Sequence, residues 1–212
     1  MTAPHCRWHE HKLWENASIM QQLYELEVPA DAAILDVGSG GMFFPPYLAT
    51  LGGYPNVSLT DSLAARDDLE AMIQAHREAY RVQLPFYVMP AEDMSALASE
   101  SFDVVMCIST IEHIASDQHD AALKELCRLT KPGGFIFITS DYFRSVDGHV
   151  DRAQWQGSPY RDGQETAYHQ ELVLRLPSLI DADFVGETDL EYRGDFVHSY
   201  SFVNVCLRKR MH

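Results

Sequence analysis

The sequence predicts an α/β protein built on a parallel sheet, and three observations predict it. Five short apolar segments alternate with stretches of helical spacing between residues 34 and 139, an order that joins parallel strands through right-handed crossovers. The first segment, Ile34-Leu35-Asp36-Val37, runs straight into Gly38-Ser39-Gly40-Gly41, a buried strand entering a tight turn. The fifth, Phe135-Ile136-Phe137-Ile138-Thr139, is apolar almost throughout, as a strand covered on both faces must be.

The elements follow in order. Residues 11–25 place Leu13, Trp14, Ala17, Met20, Leu23 and Tyr24 at spacings of three and four, which predicts an amphipathic helix. After the first strand and its glycines, prolines at 45 and 46 suit the opening of a short helix to Leu51, closed by Gly52-Gly53. Val57–Thr60 reads as a second strand ending at Asp61. Asp67 is a candidate cap for a helix reaching about Gln83. Phe86–Met89 and Phe102–Ile108 are the third and fourth strands. From Asp117 to Leu129, Ala122, Leu123, Leu126 and Cys127 share a helical face, and Lys131-Pro132-Gly133-Gly134 stops that helix. Residues 141–165 form a polar loop with Tyr142, Phe143, Trp155 and Tyr160 interleaved, long enough to be functional. Helical spacing returns over 166–180, interrupted by Pro177, and two last strands are expected around 184–192 and 200–207.

Composition bounds the function. The length favours one domain, and 46% apolar residues supply a core. Sixteen basic against 31 acidic residues leave a net charge of −15, which argues against nucleic acid and against an anionic membrane surface. No apolar run approaches the roughly 18 residues of a membrane span, and the opening residues lack the apolar stretch of a signal peptide. The cysteines at 6, 107, 127 and 206 are widely separated and three lie in apolar segments, the pattern of buried free thiols in a reducing cytoplasm.

The chemistry sits around the first glycine turn. A dinucleotide fingerprint needs a third glycine where Phe43 stands. In its place is an acid two residues before the first glycine, Asp36-x-Gly38-x-Gly40, and a second acid, Asp61, at the end of the next strand. In an open parallel sheet both reach the C-terminal strand edge, where ligands bind. An acid after the second strand can accept both hydroxyls of a ribose while the glycine backbone passes close to the rest of the ligand.

Four segments in this order resemble the class I S-adenosylmethionine-dependent methyltransferases: Ile34–Gly40; Leu59-Thr60-Asp61; Val88–Met94; and Ser101–Ile114 taken with Glu125–Gly134. The resemblance covers about residues 32–140. It implies a Rossmann-like, doubly wound, seven-stranded, mostly parallel sheet with an antiparallel last strand, and S-adenosyl-L-methionine as cofactor. It places Gly38, Ser39 and Gly40 along the methionine part, with Asp36 supporting that turn. It places Asp61 on the ribose, Ala91 and Glu92 beside the adenine, and Ile108 near the sulfonium. Two positions depart from the pattern. Met42 replaces a frequent glycine, and Pro90 replaces a frequent aspartate, which moves adenine recognition to backbone groups or Asp93.

His113 follows the fourth strand and is the candidate base, since histidine titrates near neutrality. Trp14, His113, Tyr142 and His149 are the candidate substrate residues. Trp14 belongs to lid or core, and the aromatic residues after the fifth strand enclose substrate or pack their loop. Asp147-x-His149-x-Asp151 reads as a polar loop, with a metal site or substrate edge as the alternative. The cluster His5, Cys6, His9 and His11 fits no structural zinc spacing, and no metal is assigned. The expected organisation is a lid over 1–30, a cofactor core over 31–140, a substrate-side segment over 141–182 and final strands over 183–212. The expected activity is cytoplasmic methyl transfer to oxygen or nitrogen of a small metabolite. Alternatives are a methyltransferase for protein side chains, and a cofactor-binding module without catalysis.

Overall fold

The computed structural model describes residues 10–40, 44–62, 69–142, 176–186 and 201–212. In chain order it shows α1 (Glu10–Glu25), β1 (Ile34–Val37), α2 (Phe44–Thr50), β2 (Val57–Asp61), α3 (Leu69–Tyr80), β3 (Phe86–Val88), β4 (Phe102–Ile108), α4 (His119–Leu129), β5 (Thr130–Tyr142), β6 (Ala182–Phe184) and β7 (Ser201–Lys209). The strands form one sheet in the order β3-β2-β1-β4-β5-β7-β6. The first five are parallel, and β7 lies antiparallel between β5 and β6. This is the seven-stranded doubly wound arrangement the sequence predicts. Strand order reverses between β1 and β4, so the crevice at their C-terminal ends is the expected ligand site.

Side chains alternate across the sheet, and each face has its own core. Ile34, Val104, Met106, Phe135, Phe137 and Cys206 join Ile19 and Leu23 of α1 and Phe44 and Leu48 of α2. Leu35, Val37, Val105, Cys107, Ile136 and Ile138 join Ala122, Leu123, Leu126 and Cys127 of α4, with Leu176 and Ile180 beyond. Cys107, Cys127 and Cys206 are buried free thiols, as expected. Burial raises all three above the ordinary thiol range, Cys206 to about 12. Among the described residues no helix is long and apolar enough to cross a membrane.

Four expectations need correction. The buried face of α1 is not the stripe read from spacing: Leu13, Trp14, Ala17 and Tyr24 are exposed, while Glu15, Asn16, Ile19 and Leu23 are buried. Polar side chains were assigned to solvent, but the top of α1 meets polar groups of the sheet. Second, Lys131–Gly134 does not separate helix from strand. β5 begins at Thr130, opposite Phe102, and a register shift carries the chain to Phe135 opposite Val104. Third, α4 begins at His119 and the turn before it, Ser116–Gln118, is a 3-10 helix. Fourth, β6 comes earlier than expected, at Ala182–Phe184. Asp67, the loop from 143, the helix before 176 and the segment 187–200 lie outside the described residues.

Candidate cofactor and methyl-transfer site

The turn after β1 is built by backbone hydrogen bonds to β2. Gly38 and Ser39 N–H both donate to the Thr60 carbonyl, at 2.9 and 3.1 Å, and Gly40 N–H donates to Asp61 Oδ2 at 2.6 Å. Gly38 has φ +72°, and a Cβ there would lie 2.1 Å from Thr110 Cγ2. Both facts require glycine. Thr110 Oγ1 in turn donates to the Gly38 carbonyl at 3.0 Å. The turn is therefore gripped from β2 on one side and from the segment after β4 on the other.

Two carboxylates define its electrostatics. Asp36 is 2% exposed, and its Oδ1 has no hydrogen-bond partner among the described residues. Burial, and next the charge of Asp61, raise its pKa to about 8, so near neutrality it holds a proton. Asp61, half-buried at the end of β2, carries the turn. Ser39 Oγ is also buried and without a partner among the described residues.

The segment after β4 leaves the sheet sharply. Ser109 has φ +44°, an uncommon conformation for serine. It is held there because its N–H donates to the carbonyl and the Oγ1 of Thr139, at 3.0 and 3.1 Å. Ser109 Oγ and Thr139 Oγ1 each donate to Glu15 Oε1 at 2.6 Å. Glu15, fully buried, thus fastens α1 to the ends of β4 and β5. The chain continues as a 3-10 turn, Ile111–His113, with Ile111 and Glu112 buried and His113 exposed.

On the far side of β2, the loop after β3 is clamped from α4. Glu125 Oε2 accepts from Met94 N–H at 2.8 Å, and Arg128 donates to the Met94 and Leu97 carbonyls at 2.9 Å each and to Glu125 at 2.6 and 2.8 Å. This fixes Ala91, which is buried, and Glu92, which is half-buried. Asp93 is exposed and accepts from Ser95 N–H at 3.2 Å. The Ser95 hydroxyl, and next the Ser95 N–H, hold its carboxyl below the usual range.

Asp36, Gly38, Ser39, Gly40, Asp61, Ala91, Glu92 and Ile108 therefore lie on successive neighbouring strands, β3-β2-β1-β4, at one edge. His113 follows on the β4 side. Trp14, 48% exposed, is on α1 next to Glu15. The side chain of Tyr142, the whole of His149, and the Asp147–Asp151 triplet lie outside the described residues, as do His5, Cys6 and His9. Among the described residues no group of histidine, cysteine and acidic side chains is placed to hold a metal. Glu15 and Thr110 were not singled out by sequence. Their partners stand 94 and 72 positions away, and no local pattern marks them.

The residues fit S-adenosylmethionine. The unpartnered Asp36 Oδ1 and Ser39 Oγ supply polar atoms beside a turn with no Cβ at Gly38 and Gly40, and Asp61 supplies carboxylate oxygens at the neighbouring strand end.

Residues 35–138 match the methyltransferase domain family. The ubiquinone biosynthesis O-methyltransferase of Xanthomonas axonopodis pv. citri (strain 306) is 30% identical over 112 residues, covering 53% of this chain and 44% of that protein. The chain thus spans less than half of that relative's length. An S-adenosylmethionine-dependent methyltransferase from Clostridium acetobutylicum ATCC 824 has the same fold, with a TM-score of 0.69 at 12% identity, over 96% of this chain and 94% of that one. So has the magnesium protoporphyrin IX methyltransferase of Synechocystis PCC 6803 with bound SAH, with a TM-score of 0.66 at 10% identity, over 94% and 84% of the two chains.

Proposed function

We propose a function for a chain that belongs, through residues 35–138, to the class I S-adenosylmethionine-dependent methyltransferases: it moves a methyl group to an oxygen or nitrogen of a small metabolite. The observation that carries this reading is the row of Asp36, the Gly38–Gly40 turn and Asp61 at one strand edge, with His113 exposed on the turn that follows β4. The name of the curated relatives, ubiquinone biosynthesis O-methyltransferase, supports a small-molecule acceptor and an oxygen nucleophile.

When bound, the cofactor supplies an electrophilic methyl group on a sulfonium. The protein's part is alignment and one proton. The Gly38–Gly40 backbone and Asp61 orient the donor. The Glu15–Ser109–Thr139 bonds fix the exit of β4, and so fix where His113 stands. His113 accepts the proton of an acceptor hydroxyl as the oxygen attacks. In this reading residues 31–140 are the cofactor core, 1–30 the expected lid, 141–182 the expected substrate side and 183–212 the expected last strands. Buried free thiols and the net charge of −15 support a cytoplasmic setting and a partner other than nucleic acid.

Calorimetry with S-adenosylmethionine and its demethylated product, S-adenosylhomocysteine, tests the cofactor. Incubation with a metabolite extract, followed by mass analysis for a product heavier by one methyl, tests the acceptor. Binding of both ligands and one such product are expected. Binding of neither ligand overturns the reading.

A further inference from the structure

Helix α1 carries a buried carboxamide at Asn16. The residue is 5% exposed, and neither Nδ2 nor Oδ1 has a hydrogen-bond partner among the described residues. Buried amides are almost always paired, so this one calls for a ligand or another reason.

Its direction follows from its helix. Successive residues of α1 turn by about 100°. Ser18 and Gln22 face β7, where Asn204 Nδ2 donates to both, at 2.6 and 3.3 Å. Next around the helix come Glu15, on the ends of β4 and β5, and Ile19, in the core. Leu23 and Asn16 follow. The outward arc carries Leu13, Ala17 and Tyr24, all exposed. Asn16 thus occupies the buried flank of α1 turned away from β7, toward β4 and β1. Being adjacent to Glu15, it stands level with the C-terminal strand edge. Asp36 alternates with Leu35 and shares the sheet face of Ile34, the face that α1 covers. Asn16, Asp36 Oδ1 and Ser39 Oγ, each without a hydrogen-bond partner among the described residues, then border one edge.

We propose that Asn16 is a cofactor-contact residue, its carboxamide holding the amino-carboxylate end of the methyl donor against the glycine turn. The assignment rests on the methyltransferase reading. The adenosine end belongs toward β2 and β3, with Asp61 and Ala91, which leaves the amino-acid end on the β4 side, where Asn16 faces. A carboxylate accepts and an ammonium donates. A primary amide answers both, with two N–H donors and a carbonyl acceptor.

The test compares two ligands on the full chain. S-adenosylhomocysteine carries the amino-carboxylate, and 5′-methylthioadenosine lacks it. Asn16→Leu keeps the branching and the number of heavy atoms and removes the polar atoms. It is expected to weaken S-adenosylhomocysteine by roughly tenfold or more, leave methylthioadenosine unchanged, and leave the Tm of the free protein equal or higher. Asn16→Asp puts a charge opposite the ligand carboxylate and is expected to show the same selectivity. Unchanged S-adenosylhomocysteine affinity in both variants overturns the assignment. So does an equal loss for both ligands with a lower Tm, which is a structural role. So does a raised KM for the acceptor alone, which moves Asn16 to the acceptor side. A wild-type chain that binds neither ligand removes the methyltransferase reading itself, and the assignment with it.

Discussion

Gly40 N–H and Asp61 Oδ2 meet at 2.6 Å, so the turn after β1 and the acid after β2 form one unit. We propose that the same carboxylate also accepts the ribose hydroxyls of the cofactor. Asp61→Ala removes both and is expected to weaken S-adenosylhomocysteine by about 10- to 100-fold, since hydrogen bonds to charged groups are worth about 1.5–3 kcal/mol. Asp61→Asn keeps one acceptor and loses less. Calorimetry reads both, and an unchanged Kd for Asp61→Ala would take Asp61 out of the cofactor site.

Asp36 makes stability depend on pH. Its pKa is about 8 in the fold against an ordinary 3.8. Between those values the folded chain keeps a proton that the unfolded chain has released. Its contribution is therefore full at acid pH, falls as pH rises from about 4 to about 8, and is flat above. Asp36→Asn stays neutral throughout. Its unfolding free energy is expected to exceed that of the wild type by a margin that grows between pH 5 and 8, reaching the order of a few kcal/mol, and is read by urea unfolding across that range. A margin independent of pH would show that Asp36 is not the group responsible.

Gly38→Ala tests the grip of Thr110 on the turn. The new Cβ meets Thr110 Cγ2 at 2.1 Å and Oγ1 at 2.5 Å, on a backbone at φ +72°. Strain and overpacking together are expected to destabilise by about 2–5 kcal/mol in urea unfolding. Adding Thr110→Ala removes those two atoms but leaves Thr110 Cβ at 2.8 Å from the new Cβ, and is expected to recover part of the overpacking and none of the backbone strain.

Arg128→Ala releases the loop after β3. Its side chain is 29% exposed, so the loss is discounted for solvent screening and expected at about 1–2 kcal/mol. Hydrogen exchange should rise in 90–99 and not in β4. S-adenosylhomocysteine and methylthioadenosine should weaken alike, because that loop is proposed to border the adenine both ligands share. A selective loss of one would contradict this.

His113→Ala separates chemistry from binding. The side chain is exposed, so the Tm is expected to shift by no more than about 0.5 kcal/mol equivalent, with cofactor affinity unchanged. Methyl transfer to a hydroxyl acceptor is expected to fall about 100-fold or more. Full turnover would remove His113 as the base.

Much of this was legible in sequence, where local pattern and tertiary role coincide. β4 was read at Phe102–Ile108 and found there, because a strand buried on both faces must be apolar along its length. Asp36, Gly38 and Gly40 announced themselves through a turn that only glycine completes. Glu15 and Asn16 did not. On a helix they read as solvent-facing, and only the ends of β4 and β5, 94 and 124 residues on, make the top of α1 a polar junction. The start of β5 was hidden likewise: Pro132 and two glycines look like an ending, but the pairing of Thr130 with Phe102 is a property of the assembled sheet.

The bonds from Asn204 to Ser18 and Gln22 span 186 and 182 positions. Helix α1 leaves the ribosome well before β7, the strand that braces it. Contacts of such long range form late and slowly. A nascent chain that has made its glycine turn and the five parallel strands still lacks the brace that seats α1, and β5 still shows an unpaired edge. Any chaperone or ligand that acts on this protein during synthesis meets a sheet whose first helix is not yet braced, and the arrival of β7 supplies that brace.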